Sequence, residues 1–336
     1  MIFFITGTAG FIGFHLADRL LREGHIVHGY DGFTDYYDVS LKRHRNGLLH
    51  NYSNFTSTEA LLEDESVLNA AIEAAKPDVI VHLAAQAGVR YSLDNPRAYI
   101  DANIIGTFNV LEAARRIKVK HLLLASTSSV YGANEDMPYM ETHKADTQMS
   151  FYAATKKSNE VMSHAYAHLH GIPTTAFRFF TVYGPWGRPD MAIFKFAKAI
   201  LEDRPIDIYN FGDMWRDFTY IEDLISGIVL LIAIPPAKSV AGYIPIENDS
   251  LSPVAPFRIV NIGNSTKVRL LDFIDALEVA IGKKAMRNYI EMQAGDVPAT
   301  WADASLLKHL TGYKPTTDFH QGVASFARWF KDFYSK

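Results

Sequence analysis

The sequence predicts an α/β fold: a doubly wound, mostly parallel sheet followed by a smaller C-terminal α/β lobe. Three observations predict it. Short, nearly continuous apolar runs alternate with amphipathic helical stretches up to residue 180, as in βαβ units whose strands are covered by helices on both faces. A glycine cluster separates the first apolar run from the first amphipathic stretch, the place where such sheets turn sharply into a helix. At 336 residues the chain exceeds one ordinary domain, which leaves room for the lobe.

In order, the strands are Ile2–Thr6, Ile26–Asp31, 79–83, 121–126 and 174–180, each rich in Val, Ile, Leu or Phe. Between them, apolar residues recur at helical spacing over 10–23, Glu65–Ala75, 103–118 and Phe151–His170. Residues 1–180 are therefore read as the main sheet domain and 181–336 as mainly the lobe. Past Phe180 the pattern breaks at Gly184-Pro185, Arg188-Pro189 and Gly212-Asp213, which are turn signals. Phe257–Ile262 resembles the core strands and is expected to rejoin the sheet. The Pro-, Ser- and Asn-rich segment 235–256 reads as an exposed loop.

Composition narrows the function classes. Hydrophobic residues at 48% and charged residues at 21% are ordinary globular values. A net charge of -4, without long runs of like charge, offers no basic surface for nucleic acid. The absence of cysteine excludes disulfides and thiolate chemistry. Met1-Ile2-Phe3-Phe4-Ile5 lacks a basic flank and reads as a buried strand, not a signal peptide. The longest apolar stretch, 224–234, ends at Pro235-Pro236 and falls short of the ~20 residues a membrane span needs. A soluble cytoplasmic protein is expected, with no membrane partner.

Gly7-Thr8-Ala9-Gly10-Phe11-Ile12-Gly13 carries the first chemistry. Glycines let the backbone approach a pyrophosphate, and the helix that follows supplies free N–H groups and the positive end of its dipole. The spacing is one residue longer than the usual dinucleotide fingerprint. Asp31 ends the second strand, where a carboxylate accepts hydrogen bonds from both adenosine ribose hydroxyls and repels a 2′-phosphate. NAD is therefore expected over NADP.

The second chemistry lies in Ser126-Thr127-Ser128-Ser129-Val130-Tyr131-Gly132 followed by Tyr152-x-x-x-Lys156. With 17 tyrosines and as many lysines in the chain, the Tyr/Lys spacing alone arises about once by chance. Its position after a strand-end hydroxyl run and a glycine loop gives it meaning. A phenol titrates near pH ~10, and an ammonium ~4 Å away favours the phenolate by about 4 kcal/mol at an effective dielectric near 20. Lys156 lies one turn beyond Tyr152 on the same helix face. Tyr152, Lys156 and Thr127 are thus the candidate catalytic residues, with Tyr152 as base, Lys156 also reaching the nicotinamide ribose and Thr127 holding the reacting hydroxyl.

With these motifs, Asp31-Gly32-Phe33, Leu83-Ala84-Ala85-Gln86-Ala87, Asn103 and the run from Phe179 to Met191, the whole chain resembles the extended short-chain dehydrogenase/reductase family in its nucleotide-sugar epimerase branch. The resemblance implies a Rossmann-type NAD domain with Leu83, Ala84 and Ala85 at the cofactor. It further implies a lobe gripping a nucleotide sugar and a homodimer packed through helices near 98–116 and 151–170. The run from Arg178 to Ala192 and the segment Asp35-Tyr36-Tyr37-Asp38 look most like the UDP-glucuronate 4-epimerases of that branch. This implies carboxylate binding by Ser128, Ser129, Thr181 and Arg188, where arginine offers a planar bidentate fork. It also implies a diphosphate contact at Arg216 and a uridine-ribose contact at Asp296. Where relatives carry Asp-Ile or Asp-Leu near the adenine, this chain reads Leu61-Leu62-Glu63-Asp64, so Asp64 is not assigned to the site.

Dehydratases of the family typically read Thr-Asp-Glu after the strand, and UDP-glucuronate decarboxylases Thr-Ser-Glu. Thr127-Ser128-Ser129 has no carboxylate there. The implied reaction is 4-epimerisation of UDP-glucuronate to UDP-galacturonate through a transient 4-keto sugar. A neutral-sugar 4-epimerase of the UDP-glucose/galactose type, a UDP-glucuronate decarboxylase and a dinucleotide sensor without chemistry are the alternatives. His164 and His168, at i, i+4 with His170 nearby, lack a third ligand in view and read as surface histidines, so no metal is expected. Phe326, Trp329, Phe330 and Phe333 form a helical stripe that should pack on the lobe. Tyr36 and Tyr37 fit either the adenosine side or loop packing.

Overall fold

The computed structural model describes residues 1–237, 246–292 and 296–334. Residues 238–245 of the expected 235–256 loop, and Gly295 beside Asp296, lie outside the described residues. Seven parallel strands form the main sheet: β1 (Ile2–Thr6), β2 (Ile26–Asp31), β3 (Phe55–Glu59), β4 (Val79–His82), β5 (His121–Thr127), β6 (Thr174–Phe179) and β7 (Phe257–Ile262). Their order is β3-β2-β1-β4-β5-β6-β7. The order reverses between β1 and β4, so a crevice opens beyond the carboxyl ends of the strands at that point.

Alternate residues of β1 feed two cores. Phe3 and Ile5 join one cluster with Val27, Val81 and Leu123, while Phe4 joins the opposite one with Tyr30, Ile80 and Leu122. Helices cover both faces, which is why the strands carry no polar alternation.

β3 and the helix α2 (Val39–Leu49) were not expected, whereas α1 (Phe11–Arg22) was. β3 reads Phe-Thr-Ser-Thr-Glu and is the sheet edge, with only Phe55 buried. The buried positions of α2 are Leu41, Lys42, Arg45 and Leu49, so two of its inward residues are cations. The expected helix from 103 begins instead as a π-helical turn, Ile100–Ile105, that runs into Gly106–Ile117.

β7 rejoins the sheet beside β6 as expected. The helix Ile221–Ile232, which follows Phe180 in the chain, also packs into the sheet core through Leu224, Ile225 and Ile228. The rest of the lobe gathers around the strand Trp215–Tyr220, which pairs with Thr181–Tyr183, Lys267–Arg269 and Ala299–Thr300. Its own core stacks Phe218 on Phe273 at 4.3 Å and receives Phe326 and Phe330 of the C-terminal helix.

Candidate active site

One cavity of about 720 Å³ runs along the carboxyl edge of the sheet. The glycine loop, Asp31, the segment after β4, Thr127 to Ser129, Tyr152, Lys156, Thr181, Arg188 and Asp296 all line it. Parallel topology gathers them, because each βα junction falls on the same edge.

The glycine loop leaves no room for side chains. Gly7 has φ +83°, and a Cβ there would meet Ala84 N at 2.8 Å. A Cβ on Gly13 would lie 2.0 Å from Gly7 O. Gly10 caps α1 without a side chain, so the amides of Phe11, Ile12 and Gly13 in its first turn have no intrahelical acceptor. They point a positive helix end into the cavity. Thr6 Oγ1 accepts from Leu83 N at 3.2 Å and Ala84 N at 3.1 Å, which fixes the neighbouring segment.

Asp31 Oδ2 accepts from Ala9 N at 3.0 Å and Oδ1 from Phe33 N at 2.9 Å. Burial pushes its carboxyl up, opposed by those amides and by Lys42 and Arg45. Each oxygen keeps lone-pair capacity for a ribose hydroxyl. Three amides without acceptors, a side-chain-free cradle and a paired acceptor fit the pyrophosphate and adenosine ribose of NAD. Asp64 caps the helix Glu65–Ala75 by accepting from Val67 N at 3.2 Å.

Ser150 caps the helix Phe151–His170 through Ala153 N at 3.1 Å, which sets Tyr152 in its first turn and Lys156 one turn on. Asn103, in the π-helical turn, donates to Thr155 Oγ1 at 3.0 Å and to Gln86 O at 3.0 Å, tying this helix to the segment after β4. Burial pushes the Tyr152 phenol up; Arg188 and the Thr127 hydroxyl act against it. Beside Lys156, to which the sequence assigns that task, Arg188 is thus a second cation that favours the phenolate. Burial pulls Lys156 down to about 8 against the pull of Glu160. Among the described residues its Nζ has no hydrogen-bond partner, so its donors are available to a ligand.

Glu160 is itself committed. It accepts from Ser126 Oγ at 2.7 Å and from Arg178 Nε and Nη2, both at 2.9 Å, all buried. Thr127 Oγ1 accepts from Ser129 N at 3.2 Å, holding the hydroxyl run in a tight turn at the end of β5.

Arg188 forms a fork with Asp190: Nε to Oδ1 at 3.0 Å and Nη2 to Oδ2 at 2.6 Å. Tyr36 Oη donates to Asp190 Oδ2 at 3.3 Å. Asp296 pairs with Arg90 at 2.9 Å. Arg216 does not line the cavity; it donates to the carbonyls of Val297 and Pro298 at 2.8 and 3.2 Å, just beyond Asp296.

Sequence reasoning missed Arg45. Fully buried, it donates through Nη1 to Ala9 O at 2.9 Å and Tyr37 Oη at 3.0 Å, and through Nη2 to Trp186 O at 2.5 Å and Gly187 O at 3.1 Å. It joins the glycine loop to the loop carrying Arg188. His164 and His168 hold Ser252 Oγ and Val254 O at 2.8 and 2.9 Å. Trp329 and Phe333 also pack against Trp186, with ring centroids 5.3 and 5.0 Å away.

Known proteins are similar to this chain over its length. The chain is 55% identical to "Probable UDP-glucuronate 4-epimerase" of Rhizobium meliloti (strain 1021), over 100% of this chain and 98% of that protein. It is 42% identical to UDP-glucuronate 4-epimerase 1 of Arabidopsis thaliana, over 98% of this chain and 76% of that protein. The crystal structure of UDP-glucuronic acid 4-epimerase from Bacillus cereus, in complex with UDP-glucuronic acid and NAD, is similar with a TM-score of 0.88 and 34% identity, covering 99% of this chain and 100% of that one. The model of the NAD dependent epimerase/dehydratase family matches residues 3–242, from the first strand to beyond the loop of Arg188, and the chain belongs to that family.

Proposed function

We propose that this chain is an isomerase that converts UDP-glucuronate to UDP-galacturonate, with NAD as its resident cofactor. One observation carries the reading: a single cavity holds both a hydroxyl-oxidising trio and a carboxylate-binding set, with no carboxylate in the run Thr127-Ser128-Ser129. The relatives named above support it. In this reading residues 1–180, with β7, form the cofactor domain, and the later chain mainly holds the nucleotide sugar.

The amides of Phe11, Ile12 and Gly13 would hold the pyrophosphate, Asp31 the adenosine ribose and Lys156 the nicotinamide ribose. When bound, NAD supplies a reversible hydride acceptor for C4 of the sugar, so that a 4-keto sugar can form and be reduced on its opposite face. Tyr152 Oη takes the proton of the 4-hydroxyl and later returns it. Thr127 Oγ1 holds that oxygen in place. The charge of Arg188 favours the ionised form of the phenol.

Ser128, Ser129 and Thr181 donate to the sugar carboxylate, and Arg188 supplies its counter-charge. The keto sugar is a β-keto acid, and its C5–C6 bond breaks only when aligned with the ketone π system. Holding the carboxylate near the ring plane prevents that alignment. Asp296 marks the uridine end, and Arg216 supports the segment behind it and brings a cation for the diphosphate.

Apolar side chains exposed on two helices, Phe108 on one and Val161 and Leu169 on the other, support a homodimer through those faces. Among the described residues no helix is long and apolar enough to cross a membrane; a cytoplasmic enzyme is the reading that a chain without cysteine fits.

Incubation with UDP-glucuronate and NAD in deuterated water, followed by product NMR, tests the reaction. UDP-galacturonate without deuterium at C4 or C5 is expected. UDP-xylose or a 4-keto pentose as the main product would overturn the assignment in favour of a decarboxylase.

A further inference from the structure

Arg188 and Asp190 are two residues apart on one loop, and their fork uses the Nε and Nη2 edge of the guanidinium. Among the described residues Nη1 has no partner. Asp190 is held in turn from the cofactor side by Tyr36, which lies in the segment after β2 and packs at a tilt against Tyr91, ring centroids 4.9 Å apart. Burial pushes the Asp190 carboxyl up, but Arg188 outweighs it and keeps the group ionised. Burial also pushes the Tyr36 phenol up to about 12, so it remains a donor.

We propose that Asp190 is a positioning residue: it fixes Arg188 by one edge so that Nη1 is the end offered to the sugar carboxylate, and Tyr36 fixes Asp190. An arginine without such a brace has several side-chain rotamers, and each one it samples costs the substrate ordering entropy on binding. The brace also balances the buried charge before substrate arrives. The site therefore selects a uronate by the geometry of one nitrogen and not by a free cation. Carboxylate retention depends on the same brace. If Arg188 swings, the C5–C6 bond of the keto sugar can align with the carbonyl, its electron pair passes into C4–O as CO2 leaves, and water protonates C5. The hydride then stays on the nicotinamide.

This inference rests on the uronate reading, and the wild-type protein separates the two. Wild type that interconverts UDP-glucose and UDP-galactose but not the uronates removes that reading before any variant is made. If wild type acts on UDP-glucuronate, Asp190→Asn is compared with it. The expected loss in kcat/KM for UDP-glucuronate is about 10- to 100-fold, as for the orienting partners of other ligating groups. The inhibition constant of UDP-glucose, which has no carboxylate, should change by less than about threefold. A decarboxylated 4-keto pentose, with reduced nicotinamide absorbance, should appear in the variant. Asp190→Glu should recover part of the loss. Tyr36→Phe, which leaves the ion pair in place, should show a smaller loss in the same sense and serves if Asp190→Asn does not fold. Equal losses for UDP-glucuronate and UDP-glucose would mean that Asp190 merely supports the loop. Tighter UDP-glucuronate binding in Asp190→Asn would mean that the two carboxylates compete. Either result overturns the inference.

Discussion

Replacing Lys156 by Met should make the protein more stable and nearly inactive. Lys156 is 2% exposed and lacks a hydrogen-bond partner among the described residues. Burial moves it from an ordinary 10.5 to about 8, against the attraction of Glu160. That difference, at 1.36 kcal/mol per tenfold change in proton affinity, is a cost of about 3 kcal/mol for keeping the ammonium charged in the folded state at neutral pH. Met has similar length and no charge, so it removes the cost and fills the space. For a chain of this size the gain corresponds to roughly 5 °C in the unfolding midpoint. The measurement is thermal unfolding by circular dichroism on protein stripped of nucleotide, since bound NAD would stabilise the two proteins unequally. The pH dependence gives the sign independently. Between about pH 8 and 10.5 the unfolded wild type holds a proton that the folded protein has released, so wild-type stability rises through that window. Lys156→Met should lack the rise. A variant that melts at or below the wild-type temperature at pH 7, or wild-type stability that is flat from pH 8 to 10, would refute the idea that the site stores this lysine against its solvation.

Three further outcomes follow from the same geometry. Tyr152→Phe should lower kcat by about 10²–10⁴ through loss of the base while leaving NAD bound, a split read by single-turnover kinetics and nucleotide fluorescence. Asp31→Asn keeps the shape of the ribose site but removes a negative charge; the preference for NAD over NADP in direct binding should shrink by at least about tenfold, and an unchanged preference would place the 2′-hydroxyl elsewhere. Glu160→Gln leaves Arg178 buried beside a neutral group and should cost about 3–5 kcal/mol of stability, measured by urea unfolding.

Much of the sheet was legible because its strands are apolar on both faces; β1, β2 and β4 to β7 all stand out as runs. β3 escaped because it is an edge strand whose Thr56, Ser57 and Glu59 face outward or along the rim. α2 escaped for the opposite reason. Its inward face includes Lys42 and Arg45, so its apolar period is interrupted where it is most buried. In the site, spacing placed Tyr152, Lys156 and Thr127 near one another, because each follows a recognisable strand or helix start. Spacing did not reveal everything that acts on the phenol. Arg188 also acts on Tyr152 electrostatically, and no local pattern encodes an influence between elements so far apart in the chain. Arg45 was invisible on the same ground: in sequence it is one more charged residue of an ordinary helix.

Arg45 grips its neighbours by main-chain carbonyls, at Ala9, Trp186 and Gly187. Such a grip is blind to the side chains of the residues it holds. The height of this loop above the glycine turn is therefore set by main chain, apart from the side chains the loop carries. If the proposed reading holds, the choice of sugar rests on side chains such as Arg188 and Asp190, while the backbone that presents them is anchored independently by Arg45.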